Sequence, residues 1–215
     1  ATHATLIVCP MSLIAQWAEE VTSKTSAGAL SVIVYYGSNK DGSTTQSASG
    51  GGADGASYTI GRDQRALYGA DVVITSYGVL QSECRSWLAL QEKGTGKENS
   101  SASSGTTTPS SSQASLASGM TGKGGFNAFT GGRAKARRPG LLGPFWKRVI
   151  LDEAHVIKNP RTETALACCT LRSRHRWCLT GTPLQNTIDD AFSLVKFLEH
   201  EPWSEYRFWR KVIGE

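Results

Sequence analysis

Charge is sparse in this 215-residue chain: only 19% of residues are charged and 39% are hydrophobic, both below the usual share for a compact domain. No run approaches the ~18 apolar residues that a membrane-crossing helix needs, so no membrane partner is expected. The charged-then-apolar opening of a signal peptide is missing, and the chain starts on Ala1 rather than Met, which suggests a fragment of a longer polypeptide. Cysteine is scarce and odd in number: Cys9, Cys84, Cys168, Cys169 and Cys178, with no C-x-x-C. That excludes a zinc ribbon or a disulfide framework and predicts buried, reduced thiols in an intracellular protein. His3, His175 and His200 have no metal-ligand spacing, and no internal repeat is visible. A membrane protein, a collagen and a small secreted disulfide domain are thereby excluded.

What is abundant is glycine, 23 residues, and it is unevenly spread. Between Gly94 and Gly132 there are 9 Gly, 9 Ser and 6 Thr. Such a stretch cannot bury enough apolar surface to offset its ordering entropy. The composition predicts ordered chain over 1–92, a low-complexity disordered insertion over 93–140, and ordered chain again over 141–215. A second Gly/Ser/Thr-rich stretch, 38–57, reads as a loop. The net charge is +5, and a basic patch runs through Arg133, Lys135, Arg137, Arg138, Lys147 and Arg148 with no acid among residues 133–148. It suits DNA phosphates, a nuclear import signal or a solvated tether.

Hydrophobic patterning predicts an α/β fold. Five apolar, β-branched runs read as strands: 4–9, 30–36, 71–75, 148–151 and 176–179. Pro10 ends the first, and Leu13, Trp17 and Val21 then recur on one helix face. Helices are predicted after Ser76 through Trp87 and Leu90, and over 162–171, 189–198 and 206–213. The aromatics Trp203, Tyr206, Phe208 and Trp209 fit the apolar face of the last helix better than base stacking. Strands alternating with helices imply βαβ units and a mainly parallel sheet, in which ligands bind beyond the carboxyl ends of the strands.

Four of those strand ends carry groups suited to phosphate chemistry. The run RVIL ends in Asp152-Glu153, the form of a Walker B motif. One carboxylate can hold Mg²⁺ against nucleotide phosphates and the next can act as general base toward water. The fifth strand ends in Thr180-Gly181-Thr182, two hydroxyls flanking a glycine that permits close backbone approach. The first is followed by Pro10 and Ser12 at the start of a helix, where free N–H groups suit phosphate. The third ends in Ser76-Tyr77.

Four segments, LIVCPMSLIAQW, VVITSYG, VILDEAHVIKNP and WCLTGTPLQN, occur in that order and resemble motifs Ia, Ib, II and III of the first RecA-like lobe of the Snf2-family DNA translocases, in helicase superfamily two. The segments SLVKFLEHEPWSEYRFW and VIVYYGS are similar to the branch that acts in post-replication DNA repair, whose members carry a RING ubiquitin-ligase insert in the second lobe. The resemblance covers roughly 150 residues, all but the two low-complexity stretches. It implies a RecA-like parallel sheet, here incomplete at its N-terminus, with ATP and Mg²⁺ as cofactors and double-stranded DNA backbone as partner. It also implies nuclear localisation and a link to ubiquitin machinery. By this resemblance Asp152 binds Mg²⁺ through water, Glu153 activates the hydrolytic water, and His155 with Thr180-Gly181-Thr182 couples nucleotide state to the DNA groove. Pro10, Ser12, Ser76 and Tyr77 would track one strand's phosphates, and Lys158 and Asn159 would lie near DNA or the second lobe.

The pattern also departs from the family. No G-x-x-x-x-G-K-[ST] loop occurs: Gly96-Lys97 is followed by Glu98 and Gly122-Lys123 by Gly124. The Walker A segment and the second RecA-like lobe would have to come from the same parent chain. The expectation is an ATP-hydrolysing parent and an inactive fragment. The alternative is a non-catalytic DNA- or protein-binding module derived from such a motor.

Overall fold

A computed structural model of the chain describes residues 2–37, 49–51, 57–61, 63–95, 138–184 and 188–213. They fall into two compact units: Ala1–Trp87 with Arg138–Glu215, and Leu88–Arg137, of which only residues 88–95, the last turns of one helix, are described. The expected insertion lies largely outside the described residues. At its edges, residues 93–95 continue that helix, and Arg138 is held by stacking its guanidinium 5.0 Å from the Trp87 ring and donating to the Thr170 carbonyl.

The first unit is built on one seven-stranded sheet: β1 (Thr5–Cys9), β2 (Val32–Tyr35), β3 (Ser49–Gly51), β4 (Ser57–Gly61), β5 (Val72–Ser76), β6 (Phe145–Asp152) and β7 (Arg172–Leu179). Its order is β3-β4-β2-β5-β1-β6-β7. Only the β3–β4 pair is antiparallel; the other five are parallel. All five strands expected from sequence are present. β3 corrects the reading of 38–57 as loop throughout, and β4 is an additional strand.

The helices are α1 (Ile14–Ser23), α2 (Tyr77–Thr95), α3 (Glu163–Thr170), α4 (Asp189–Leu198) and α5 (Tyr206–Val212). In parallel register, Ile7 pairs with Ile74 and Val72 with Val32, so alternate side chains line one face. On that face Ile7, Cys9, Val32, Val34, Val72 and Ile74 bury against Ile14 and Ala18 of α1, with Leu13, Trp17 and Val21 packed alongside. The i, i+4 apolar stripe is what seats α1 there, and each such buried aliphatic side chain contributes about 1.5–3 kcal/mol.

On the opposite face, the Tyr35 hydroxyl donates to Glu83 of α2 (2.5 Å). Arg176 of β7 donates to Glu199 just after α4 (2.7 Å) and lies 5.2 Å from the Phe197 ring. Helices therefore flank both faces of the sheet. The aromatics of α5 pack as expected: Phe192 of α4 lies 4.9 Å from Tyr206 and 5.7 Å from the buried Trp209, and Trp203 meets Phe208 edge-on. Among the described residues no helix is long and apolar enough to cross a membrane.

Candidate active site

Register brings the four strand ends to one edge. Cys9 pairs with Ser76, Val8 with Leu151 and Asp152 with Leu179. The residues that follow, Pro10, Tyr77, Glu153 and Thr180, thus leave the sheet side by side. The RVIL run is a strand, and Thr180 begins one residue beyond the partner of Asp152.

The Asp152 carboxylate is held by two donors. Its Oδ1 accepts from the Glu153 backbone N–H (3.0 Å) and its Oδ2 from the Trp17 indole N–H (2.7 Å). Leu13, Gln16, Trp17 and Glu20 of the α1 region and Asp152 line an open cleft of about 290 Å³. Cys9 is close by: its thiol is pushed up to about 12, mainly by burial and then by the negative charge of Asp152.

Glu153 leaves the strand in a left-handed conformation, φ 50°. A non-glycine residue there stores about 1–3 kcal/mol of backbone strain, which the surrounding structure must sustain. This twist opens the 3₁₀ turn Ala154–Ile157, anchored by the buried Ala154 and Ile157. The turn returns His155 to the acid: its Nδ1 lies 3.1 Å from Glu153 Oε2, off the line of a hydrogen bond. Ile157 is fixed from α4 by the Ser193 hydroxyl, which donates to its carbonyl.

The other expected site residues divide into those facing solvent and those that do not. Ser12 is exposed and Pro10 half-buried. Ser76 and Tyr77 depart from the expectation of phosphate contact, being only 2% and 7% exposed. Ser76 Oγ accepts from Val79 N (3.3 Å), and the Tyr77 hydroxyl donates to the Asp152 carbonyl (2.6 Å). The Ser76 hydroxyl caps the first turn of α2, and the Tyr77 hydroxyl links the start of α2 to the end of β6. Asn159 is exposed, but its side chain accepts from Arg161 N (3.0 Å) and its carbonyl from Thr162 N (3.2 Å), a turn leading into α3. Lys158 is half-buried. Thr180 is half-buried, and its Oγ1 accepts from Thr182 N (3.2 Å); Gly181 and Thr182 are exposed. A Cβ at Gly181 would meet nothing within 4 Å, so no close approach among the described residues requires that glycine. Gln185 and Asn186, Arg133 to Arg137, and the Gly96-Lys97 and Gly122-Lys123 pairs lie outside the described residues.

Trp17 is the residue that sequence reasoning missed as a site residue. Its place on an apolar helix face explained it fully, and nothing in a 3.6-residue period announces what an indole N–H will meet.

The whole chain, residues 1–215, matches the family model described as the SNF2-related domain. The chain belongs to this family. Among similar SNF2-related proteins are the DNA repair protein rad5 of Aspergillus fumigatus, 36% identical over 213 residues, and the DNA repair protein RAD5A of Arabidopsis thaliana, 33% identical over 208. These alignments take in 99% and 97% of this chain but 12% and 14% of those proteins, so the chain spans about an eighth of the relatives' length. The fold matches a solved Sulfolobus solfataricus SWI2/SNF2 ATPase core in complex with dsDNA, with a TM-score of 0.51, 22% identity and cover of 96% of this chain and 28% of that one. The sheet and its flanking helices thus have the RecA-like fold seen in that core.

The donor set of this SNF2-related chain fits Mg²⁺. Asp152 and Glu153 offer hard carboxylate oxygens at a strand end. Mg²⁺ is characteristically held this way, by one or two carboxylates with water and substrate phosphates.

Proposed function

We propose that these residues form part of the motor of an ATP-dependent translocase that moves along double-stranded DNA, acting in DNA repair or chromatin remodelling in the nucleus. The observation that carries this reading is the adjacency of Asp152 and Glu153 at the carboxyl end of β6, in register with the end of β7 that leads to Thr180. Membership of the SNF2-related family and the likeness to rad5 proteins support it.

In this reading Glu153 takes a proton from the water that attacks the terminal phosphate, so ATP and water become ADP and inorganic phosphate. The left-handed turn sets its carboxylate beside His155, which would relay nucleotide state toward Thr180-Gly181-Thr182. Asp152 is the residue that would hold Mg²⁺ through water. The metal would offset the negative charge that develops on the phosphates during hydrolysis. Pro10, Ser12, Lys158 and Asn159 would meet DNA phosphates, contacts that hold DNA without reading its sequence. Ser76 and Tyr77 would serve from beneath, Ser76 by capping the first turn of α2 and Tyr77 by fixing the end of β6.

The phosphate-cradling loop and the second RecA-like lobe would be supplied by the parent chain, as would a RING insert linking it to ubiquitin machinery. The 215 residues alone are expected not to turn over ATP. The test is Glu153→Gln in the full-length protein. ATPase activity stimulated by double-stranded DNA should fall by about 10²–10⁴-fold while nucleotide binding persists. Undiminished turnover would reject the motor and leave a non-catalytic DNA- or protein-binding module.

A further inference from the structure

We propose that Trp17 is a positioning residue for Asp152: its indole N–H, delivered from α1, locks the carboxylate in the orientation that receives Mg²⁺. The inference rests on the proposed role of Asp152 and goes beyond it, to a residue on a different element and 135 positions away in sequence.

Three observations meet here. The Trp17–Asp152 bond is short, 2.7 Å, in the range of charge-assisted bonds to an ionised acceptor, which are roughly twice as strong as neutral ones. Each carboxylate oxygen has one protein donor, Glu153 N on Oδ1 and Trp17 Nε1 on Oδ2. Two donors on two oxygens fix both side-chain torsions of an aspartate, χ1 among its staggered wells and the otherwise broad rotation of the carboxylate plane, and they leave lone pairs on each oxygen for a metal-bound water. Finally, the donor itself is immobile. The ring packs against the core cluster under α1, and the cleft beside it is walled by Leu13, Gln16 and Glu20 of the same segment. An indole needed only for packing could turn its N–H to water in that cleft; this one points at the acid. Asp152 is held a second time through its main chain, by the Tyr77 hydroxyl on its carbonyl at 2.6 Å.

Partners that orient a metal-binding side chain typically change metal affinity by about 10–100-fold when removed. The experiment titrates Mg²⁺ against binding of a fluorescent ATP analogue in the full-length protein. Trp17→Phe keeps most of the ring and loses the donor. The Mg²⁺ midpoint should rise about tenfold, with metal-free nucleotide binding unchanged. Val21→Ala, which thins the same packed face without touching the acid, should leave the midpoint in place. An unchanged midpoint in Trp17→Phe, or an equal rise in Val21→Ala, overturns the proposal. If Trp17→Phe does not fold, benzothienylalanine at position 17, with sulfur in place of N–H on the same bicycle, carries the same two outcomes. Asp152→Asn separates the failures. If it raises the midpoint and the position-17 variants do not, Trp17 has no such role; if it does not, the role of Asp152 in metal binding falls, and this inference with it.

Discussion

Gly140 shows how much a single backbone angle can demand. Its φ is +49°, and a Cβ there would run into the carboxylate of Glu83. That carboxylate cannot swing away. It is buried, accepts from the Tyr35 hydroxyl at 2.5 Å and receives the Leu141 backbone N–H at 2.8 Å. Gly140→Ala should therefore cost at least about 2 kcal/mol, combining left-handed strain with a displaced buried acid. Hydrogen exchange of the β6 amides in the intact protein should accelerate by more than tenfold; unaltered protection would refute the account. Tyr77→Phe tests a second contact. It leaves a carbonyl unpaired at the end of β6 at a cost of about 1–3 kcal/mol, again read as faster exchange at β6, and it should leave the DNA affinity of the full-length protein nearly unchanged because the side chain is buried. At this scale the sequence marks the acid pair, two carboxylates after an apolar strand, but such acids often only cap the next helix, and it is the signals at the other strand ends that single this pair out. Ser76 and Tyr77 show why the sequence leaves such roles open: a hydroxyl at a strand end can bond a phosphate, the next helix turn or a neighbouring strand, and only three-dimensional distance tells these apart. Glu83 gave no signal at all, since an acid in an amphipathic helix is ordinarily solvated.

Elements were more legible than side chains, for a physical reason. β1, β2 and β5 are buried along their length, so their residues must be apolar and β-branched in unbroken runs. β3, the edge strand, is Ser-Gly-Gly and carries no apolar pattern, and β4 beside it offers only Tyr58 and Ile60 in alternation over five residues, too short a pattern to stand out. β6 starts three residues earlier, and β7 four residues earlier, than their apolar cores suggest. Lys147 and Arg148 accordingly sit on a strand and are not part of a tether. The α3 start was visible as Thr162, whose Oγ1 accepts from Ala165 N at 3.2 Å. Thr162→Ala should cost about 1 kcal/mol of helix stability, whereas Thr162→Ser should cost a few tenths or less; equal costs would show that the cap contributes nothing. Glu163 follows the cap, and its carboxyl is lowered by hydrogen bonds from Arg85 first and Gln81 second. The stability it adds is present above the ordinary glutamate pKa and disappears as pH falls below it. The pair is exposed, so the effect is small.

Across the molecule the five thiols share one electrostatic fate. All are raised, chiefly by burial, with Cys9 and Cys178 pushed up to about 12. Below a pH of about 8.5 the thiols are neutral in folded and unfolded chains alike. Above it the unfolded chain sheds protons that the fold retains, so stability should fall as pH climbs toward 12. The urea concentration that exposes Cys9 to alkylation should drop between about pH 8.5 and pH 10.5, and less so in a Cys178→Ala variant, which keeps the reporter thiol. A pH-independent midpoint would contradict this. A further prediction concerns the expected insertion. Arg138 is anchored on Trp87 and Thr170, so exchanging residues 96–137 for a Gly/Ser linker of about eight residues should leave β6 exchange rates as they were. Faster exchange would mean that the removed residues stabilise the sheet. Finally, the Tyr77–Asp152 link joins a neutral phenol to a neutral peptide group across the intervening strand β1. Such a strut does not answer to counterions. Anything that shifts the first turn of α2 reaches the acid pair as a mechanical pull on a peptide plane, and that pull should be as strong in concentrated salt as in dilute buffer.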